Sequence, residues 1–219
     1  MGREKIGSGN IYHIFTKSIA GYVVFPHTID YQRIVTSLKY YQTSRQKSFS
    51  NYLKTEKITI PEVSLIEKGE KTIVEIIGYC IMPTHIHLIL EQLEENGISI
   101  FINNILNSYT RYFNLKMRRK GPLWEGRFKS VLVQTDEQLL HLTRYIHLNP
   151  VTSYIVEKPE LWEFSSYKEY CGERKGSERI CNFKKFIQIN PVEYKKFVEE
   201  HIDLQREFAK IKKLALEEF

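Results

Sequence analysis

The chain has 219 residues, of which 42% are hydrophobic and 26% charged, with a formal net charge of +6. This suits a globular protein of one domain with an appendage, or of two small domains. No apolar run approaches the roughly 20 residues of a membrane span, and Cys80, Cys171 and Cys181 form neither an even set nor a CxxC pair, which excludes a disulfide framework and a cysteine zinc site. The first ten residues carry charge and glycine without the apolar stretch of a secretory signal, so a reducing cytoplasm is the expected compartment. The positive balance favours an anionic partner, because Lys and Arg neutralise phosphates and release counterions. Fourteen Tyr and twelve Phe offer ring faces to unpaired bases, although most such rings serve a core.

In chain order, residues 11–16 and 22–25 read as short β-prone runs separated by a turn at Ala20-Gly21, and residues 31–41 as a helix capped by Asp30. Residues 43–50 read as a polar, basic loop or a frayed helix end, and 54–70 as irregular or weakly extended chain. Residues 72–82 and 84–91 are β-branched apolar runs hinged at Pro83-Thr84, an antiparallel pair whose second member carries His85 and His87. A helical period follows over 99–120 and stops at Gly121-Pro122. Residues 128–135 alternate as a strand. Asp136 then caps a helix expected to finish at Asn149, because Pro150 disfavours helical geometry in the residue before it. Beyond Pro159 the chain is aromatic and partly helical, and from residue 190 mostly helical and highly charged. This order predicts an α+β fold of ferredoxin-like topology, an antiparallel sheet with helices gathered on one face, followed by a mostly helical C-terminal extension. The expected domains are 1–170 and 171–219.

Side chains alternate faces along a strand, so the imidazoles of His85 and His87 project together while Ile86 points the other way. Two such nitrogens can clamp a divalent metal that polarises a phosphoryl oxygen; equally, both can be ordinary half-buried strand residues. Tyr145 and Asn149, four apart on a helix, share a face. The amide oxygen of Asn149 could complete a metal site and the phenol of Tyr145 could attack phosphorus to form a phosphotyrosine, or Tyr145 could be a core aromatic at helical spacing from Leu142. His141 lies one turn before Tyr145 and could aid it, whereas His147 faces elsewhere and suits a cap or backbone contact. His13 and His27 have no partner in the sequence and receive no role. Residues 116–120, notably Arg118, Arg119 and Lys120, together with Arg127 and Lys129, either grip backbone phosphates or form a solvated helix end.

Four segments in order carry a family resemblance. They are Gly78-Tyr79-Cys80-Ile81-Met82-Pro83-Thr84-His85-Ile86-His87-Leu88, Gly121-Pro122-Leu123-Trp124-Glu125-Gly126-Arg127-Phe128-Lys129-Ser130, Arg144-Tyr145-Ile146-His147-Leu148-Asn149-Pro150-Val151 and Trp162-Glu163-Phe164-Ser165-Ser166-Tyr167. Together they resemble the REP-associated tyrosine transposases, a branch of the single-tyrosine HUH endonucleases, over residues 12–170. The resemblance implies a metal-dependent single-stranded DNA endonuclease and strand transferase, with Tyr145 as nucleophile and His85, His87 and Asn149 as ligands of Mg2+ or Mn2+. It also implies a hairpin-containing DNA partner, a 5′-phosphotyrosine intermediate and a free 3′ hydroxyl, with no membrane association. A monomer and a homodimer are both compatible with one tyrosine per chain.

Two departures from that pattern stand out. Residues 43–70 are longer and more basic than in compact relatives, which suggests a DNA-contacting insertion. The tail after Gly176 matches no motif and could be a hairpin-binding element, a dimer arm or a brace. Besides the active transposase, a domesticated hairpin-binding protein without cleavage activity would keep the same fold, and a double-stranded RNA or general nucleic-acid binder would explain the charge but not the Tyr145 constellation.

Overall fold

A computed structural model describes residues 6–45, 47–57, 59–60 and 71–217. The chain forms a four-stranded antiparallel sheet from β1 (Ile11–Lys17), β2 (Val74–Ile81), β3 (His85–Gln92) and β4 (Lys129–Val133), in the order β2-β3-β1-β4. Helices α1 (Thr28–Tyr41) and α2 (Phe49–Glu56) lie between β1 and β2, and α3 (Gly97–Lys116) lies between β3 and β4. After β4 come α4 (Asp136–Thr152), the short α5 (Tyr167–Tyr170), α6 (Pro191–Glu199) and α7 (Ile202–Glu217). This is the α+β, ferredoxin-like arrangement that the element order predicts.

Ile14 of β1, Ile86 and Leu88 of β3, Leu38 of α1, and Ile102 and Ile105 of α3 meet in one buried apolar layer. Helices α1 and α3 gather on one face of the sheet, whereas α4 lies across the opposite face, where Ile146 comes down on β2. Two glycines permit these approaches. A Cβ on Gly78 would sit 3.2 Å from Ile146 Cδ1, and one on Gly97 only 2.3 Å from the carbonyl oxygen of Ile73. Helix α3 buries a stripe at Ile98, Phe101, Ile102, Ile105, Tyr109 and Phe113, the spacing of one helical face.

Several elements differ from the sequence expectation, each through tertiary contacts. Residues 22–25 form no strand; Val24 and Phe25 are buried in a loop, with Val24 N donating to Pro83 O (2.9 Å) and Tyr109 OH donating to Val24 O (2.6 Å). Asp30 is not the cap of α1 but stands inside its first turn. There its carboxylate accepts from His27 N, Tyr112 OH and Lys116 Nζ, tying α1 to α3. Helix α2 occupies chain read as loop and irregular: the Ser48 side chain accepts from Asn51 N, and Phe49 and Tyr52 are buried. The rest of that candidate DNA-contacting insertion is described only in part, since residues 46, 58 and 61–70 lie outside the described residues. Helix α4 begins after Thr135, whose side chain accepts from Gln138 N, with Asp136 as its first helical residue; it then runs through Pro150 instead of stopping at Asn149. A proline inside a helix costs about 3 kcal/mol. Here the last turn is held by the burial of Leu148, Asn149, Pro150 and Val151 and by the hydrogen bond from Asn149 Nδ2 to Tyr145 O (2.9 Å).

Strand β2 is an edge of the sheet, and an uncovered edge invites pairing with other chains. The segment with Trp162, Ser165 and Ser166 closes it: Ile81 N donates to Phe164 O, Ser166 N to Tyr79 O, and Trp162 Nε1 to Ile81 O. Farther down, Asn182 N donates to Ile76 O. The residues that follow pack into the same core. Phe183 stacks on Tyr170 at 3.8 Å, and Tyr194 is fully buried against α4, its hydroxyl bonded to His147 Nδ1 (2.6 Å) and Thr143 Oγ1 (3.0 Å).

Candidate active site

Alternation along β3 turns Ile86 and Leu88 toward α1 and α3 and leaves His85 and His87 toward α4. Pairing with β1 sets Lys17 opposite His85 and Phe15 opposite His87. The tight turn before β3 fixes where the first imidazole stands: Met82 N donates to His85 O (2.8 Å), Ser18 N donates to Thr84 O (2.8 Å), and Thr84 Oγ1 lies 3.0 Å from His85 Nδ1. On the neighbouring strand, His13 Nε2 lies 2.9 Å from His87 Nδ1, with the two rings stacked at 5.2 Å. The Nδ1 atoms of both β3 imidazoles are therefore engaged, and Nε2 is the remaining ring nitrogen of each.

Helix α4 brings Tyr145 and Asn149 over this pair. The Tyr145 ring stands edge-on to His87 at 5.8 Å and to His13 at 6.3 Å, and its residue is 41% exposed. Asn149 is hydrogen-bonded through its side chain to His85, and its Nδ2 also donates to Tyr145 O (2.9 Å). These side chains border a cleft of about 560 Å³, closed on its other sides by Phe15, Lys17 and Glu125.

Burial first, then the nearby Lys17 charge, lowers the pKa of His85 to about 4 against the opposing pull of Asn149. Burial with the charges of His85, His13 and Lys17 holds His87 well below its ordinary value, and burial lowers His13 to about 4. Neutral imidazoles keep the lone pairs that metal coordination needs. Among the described residues, no three His, Cys, Asp or Glu side chains are arranged to hold an ion, and the Asn149 amide is a further uncharged donor beside the two imidazoles. Two imidazole nitrogens and one amide oxygen, all uncharged, fit a divalent ion with positions to spare for phosphate oxygen and water.

The other candidates fall elsewhere. His141 faces Glu137 (3.8 Å) and the Phe197 ring, away from the cleft. His147 does not contact backbone; it is fully buried between Tyr194 OH and Ser166 Oγ (2.7 Å from Nε2), with burial lowering its pKa to about 3. Lys116 is bound to Asp30 and Arg119 to Asn114 and Pro122 O, so both brace the fold. Arg118, Lys120, Arg127 and Lys129 are exposed, and Lys129 lies over the Phe15 ring beside the cleft. Site residues that escaped the sequence reading include His13, whose tie to His87 needs the β1–β3 register, Lys17, opposite His85 in that register, and Glu125, a carboxylate inside a quoted motif.

The antiparallel α+β fold is shared with a solved REP-associated tyrosine transposase bound to a REP hairpin. The two structures agree with a TM-score of 0.53 over 86% of this chain and 98% of that one, at 16% identity, a likeness of fold alone. Residues 33–149, more than half of the chain, match the family described as Transposase IS200 like, and the chain belongs to that family. It is also 33% identical over 104 residues to a REP-associated tyrosine transposase of Haemophilus influenzae; the match covers 42% of this chain and 58% of that relative, so a little over half of the relative's length is spanned. Among the described residues no helix is long and apolar enough to cross a membrane.

Proposed function

We propose that this protein is a divalent-metal-dependent endonuclease and strand transferase acting on hairpin-containing single-stranded DNA through Tyr145. The observation that carries the reading is the meeting of Tyr145 and Asn149 with His85 and His87 across one cleft, from segments about 60 residues apart in the chain. The family and the hairpin-bound relative of the same fold support the choice of DNA as substrate.

In this mechanism His85, His87 and Asn149 would hold Mg2+ or Mn2+, with His13 and Thr84 fixing the two rings from behind. The bound ion supplies Lewis-acid polarisation of a phosphate oxygen. Lys17 and Lys129 draw the anionic backbone to the cleft, joined by Arg118, Lys120 and Arg127 on the adjacent loop. The Tyr145 phenol oxygen attacks phosphorus, a new phosphorus–oxygen bond forms, the bond to the 3′ oxygen breaks, and the phenolic proton ends on the departing 3′ hydroxyl. Partial exposure of Tyr145 suits a group that must meet a macromolecule.

The test is capture of labelled hairpin DNA as a denaturant-resistant adduct in Mn2+. Wild-type protein forms it, while Tyr145→Phe forms none yet melts within about 1 °C of the parent, because the exposed phenol supports little of the fold. A normal adduct in the Phe variant refutes the nucleophile assignment. Hairpin binding by wild type without any adduct favours the cleavage-free binding protein instead.

A further inference from the structure

We propose that the groove between α4 and α7 is a second strand-binding surface, a track for unpaired bases of a single-stranded nucleic acid running past Tyr145. The proposal rests on the reading of Tyr145 as the nucleophile and gives the C-terminal helix a task beyond bracing.

Tyr145 and Asn149 line two cavities at once: the imidazole cleft and, toward α7, a groove of about 390 Å³. A polynucleotide whose phosphate sits at the phenol must continue in two directions, and the two cavities meet at this residue. Gln205 Nε2 donates to Tyr145 O (3.1 Å) and Arg206 Nε to Val151 O (3.4 Å), so α7 is docked onto the helix that carries the tyrosine. On the groove's outer wall, Leu204 and Phe208 are 46% and 60% exposed and stand four apart on one face of α7. An unpaired base has a flat face for such side chains, and stacking is tolerant of sequence.

The polar lining fits the backbone of the same strand. His141, Arg144 and His201 border the groove, and among the described residues no carboxylate does. The Arg144 guanidinium is half-buried over the Phe197 ring, and its Nη1, shut off from solvent, has no acceptor among the described residues. A second copy of the chain is the rival occupant. It would cover the tyrosine that must meet DNA, whereas a strand would arrive there by design of the cleft.

The test uses the full chain, fluorescein-labelled oligothymidylates of 6 and 16 nucleotides, and the variants Phe208→Ala, Leu204→Ala and Phe208→Trp. The two alanine variants weaken binding of the 16-mer about fivefold or more and leave the 6-mer nearly unchanged, and the added tryptophan emission is quenched by the 16-mer. Equal 16-mer affinity in parent and alanine variants, with an unquenched Phe208→Trp, overturns the proposal. So does a change of sedimentation in Phe208→Asp without change in 16-mer affinity, which marks a face between copies. Failure of the cleavage reading looks different: wild type then forms no adduct with hairpin DNA, while the length-dependent Phe208 effect persists.

Discussion

On one side of β3, Ile86 and Leu88 are sealed against α1 and α3; on the other, His85 and His87, their immediate neighbours in sequence, face a cleft beneath α4. The backbone that holds both sets is the same eight residues. The apolar side is filled by Ile14, Leu38, Ile86, Leu88, Ile102 and Ile105, so it supplies rigidity. The polar side holds His13 and His87 together through the β1–β3 register and His85 through Thr84 and Asn149. A rigid layer thus sets the geometry of a reactive one, which is what a site held on secondary structure requires.

Adjacent substitutions should pull these two roles apart. Leu88→Ala is expected to lower stability by about 2–5 kcal/mol through loss of burial and a residual cavity, leaving Mn2+ affinity of the folded fraction unchanged. His87→Ala should do the reverse, weakening Mn2+ by roughly a hundredfold or more at modest cost in stability. Denaturant titration paired with calorimetric Mn2+ binding reads both quantities, and equal losses of both in the two variants would erase the distinction between faces.

A smaller effect is expected at His13, which touches no substrate in this account. His13→Ala should weaken Mn2+ about tenfold, as loss of an outer partner of a ligating His does, and His13→Gln should recover part of it by returning a polar atom near His87 Nδ1. If Gln and Ala behave alike, the ring serves packing alone.

The mildest expected effect is on acid stability. His13 and His85 are lowered from 6.5 to about 4, and His147 to about 3, by burial above all. The unfolded chain therefore binds more protons between pH 6.5 and those values, so the stability is whole above about 6.5 and is lost as the pH falls toward 3 to 4. His147→Gln should lower stability at pH 7.5 by about 1–3 kcal/mol yet give a shallower decline between pH 6.5 and 4. An unaltered decline would shift the cause to other groups.

Much of the site was legible because it follows from local periods. Strand alternation places His85 with His87, and helical spacing places Tyr145 with Asn149. The sheet order likewise follows from the order of elements. What was not legible depends on distant partners. Helix α2 is short and polar and is held by Ser48 and by the burial of Phe49 and Tyr52. Residues 22–25 have strand-like composition but go into a loop packed on α3. Pro150 looks like a stop, yet the buried final turn of α4 continues through it. His13 and Lys116 gained their partners only when β1 met β3 and α1 met α3. In each case tertiary burial outweighed the local preference.

The central claim, that one cation sits among His85, His87 and Asn149 beside Tyr145, is most directly tested by Mn2+ titration of the DNA-free protein, followed through paramagnetic broadening of the histidine ring signals. The account predicts that His85 and His87 broaden at the lowest Mn2+ additions and His13 next, ahead of His141 and His201. Broadening that begins at His141 or His201, or that touches all seven histidines alike, would contradict it.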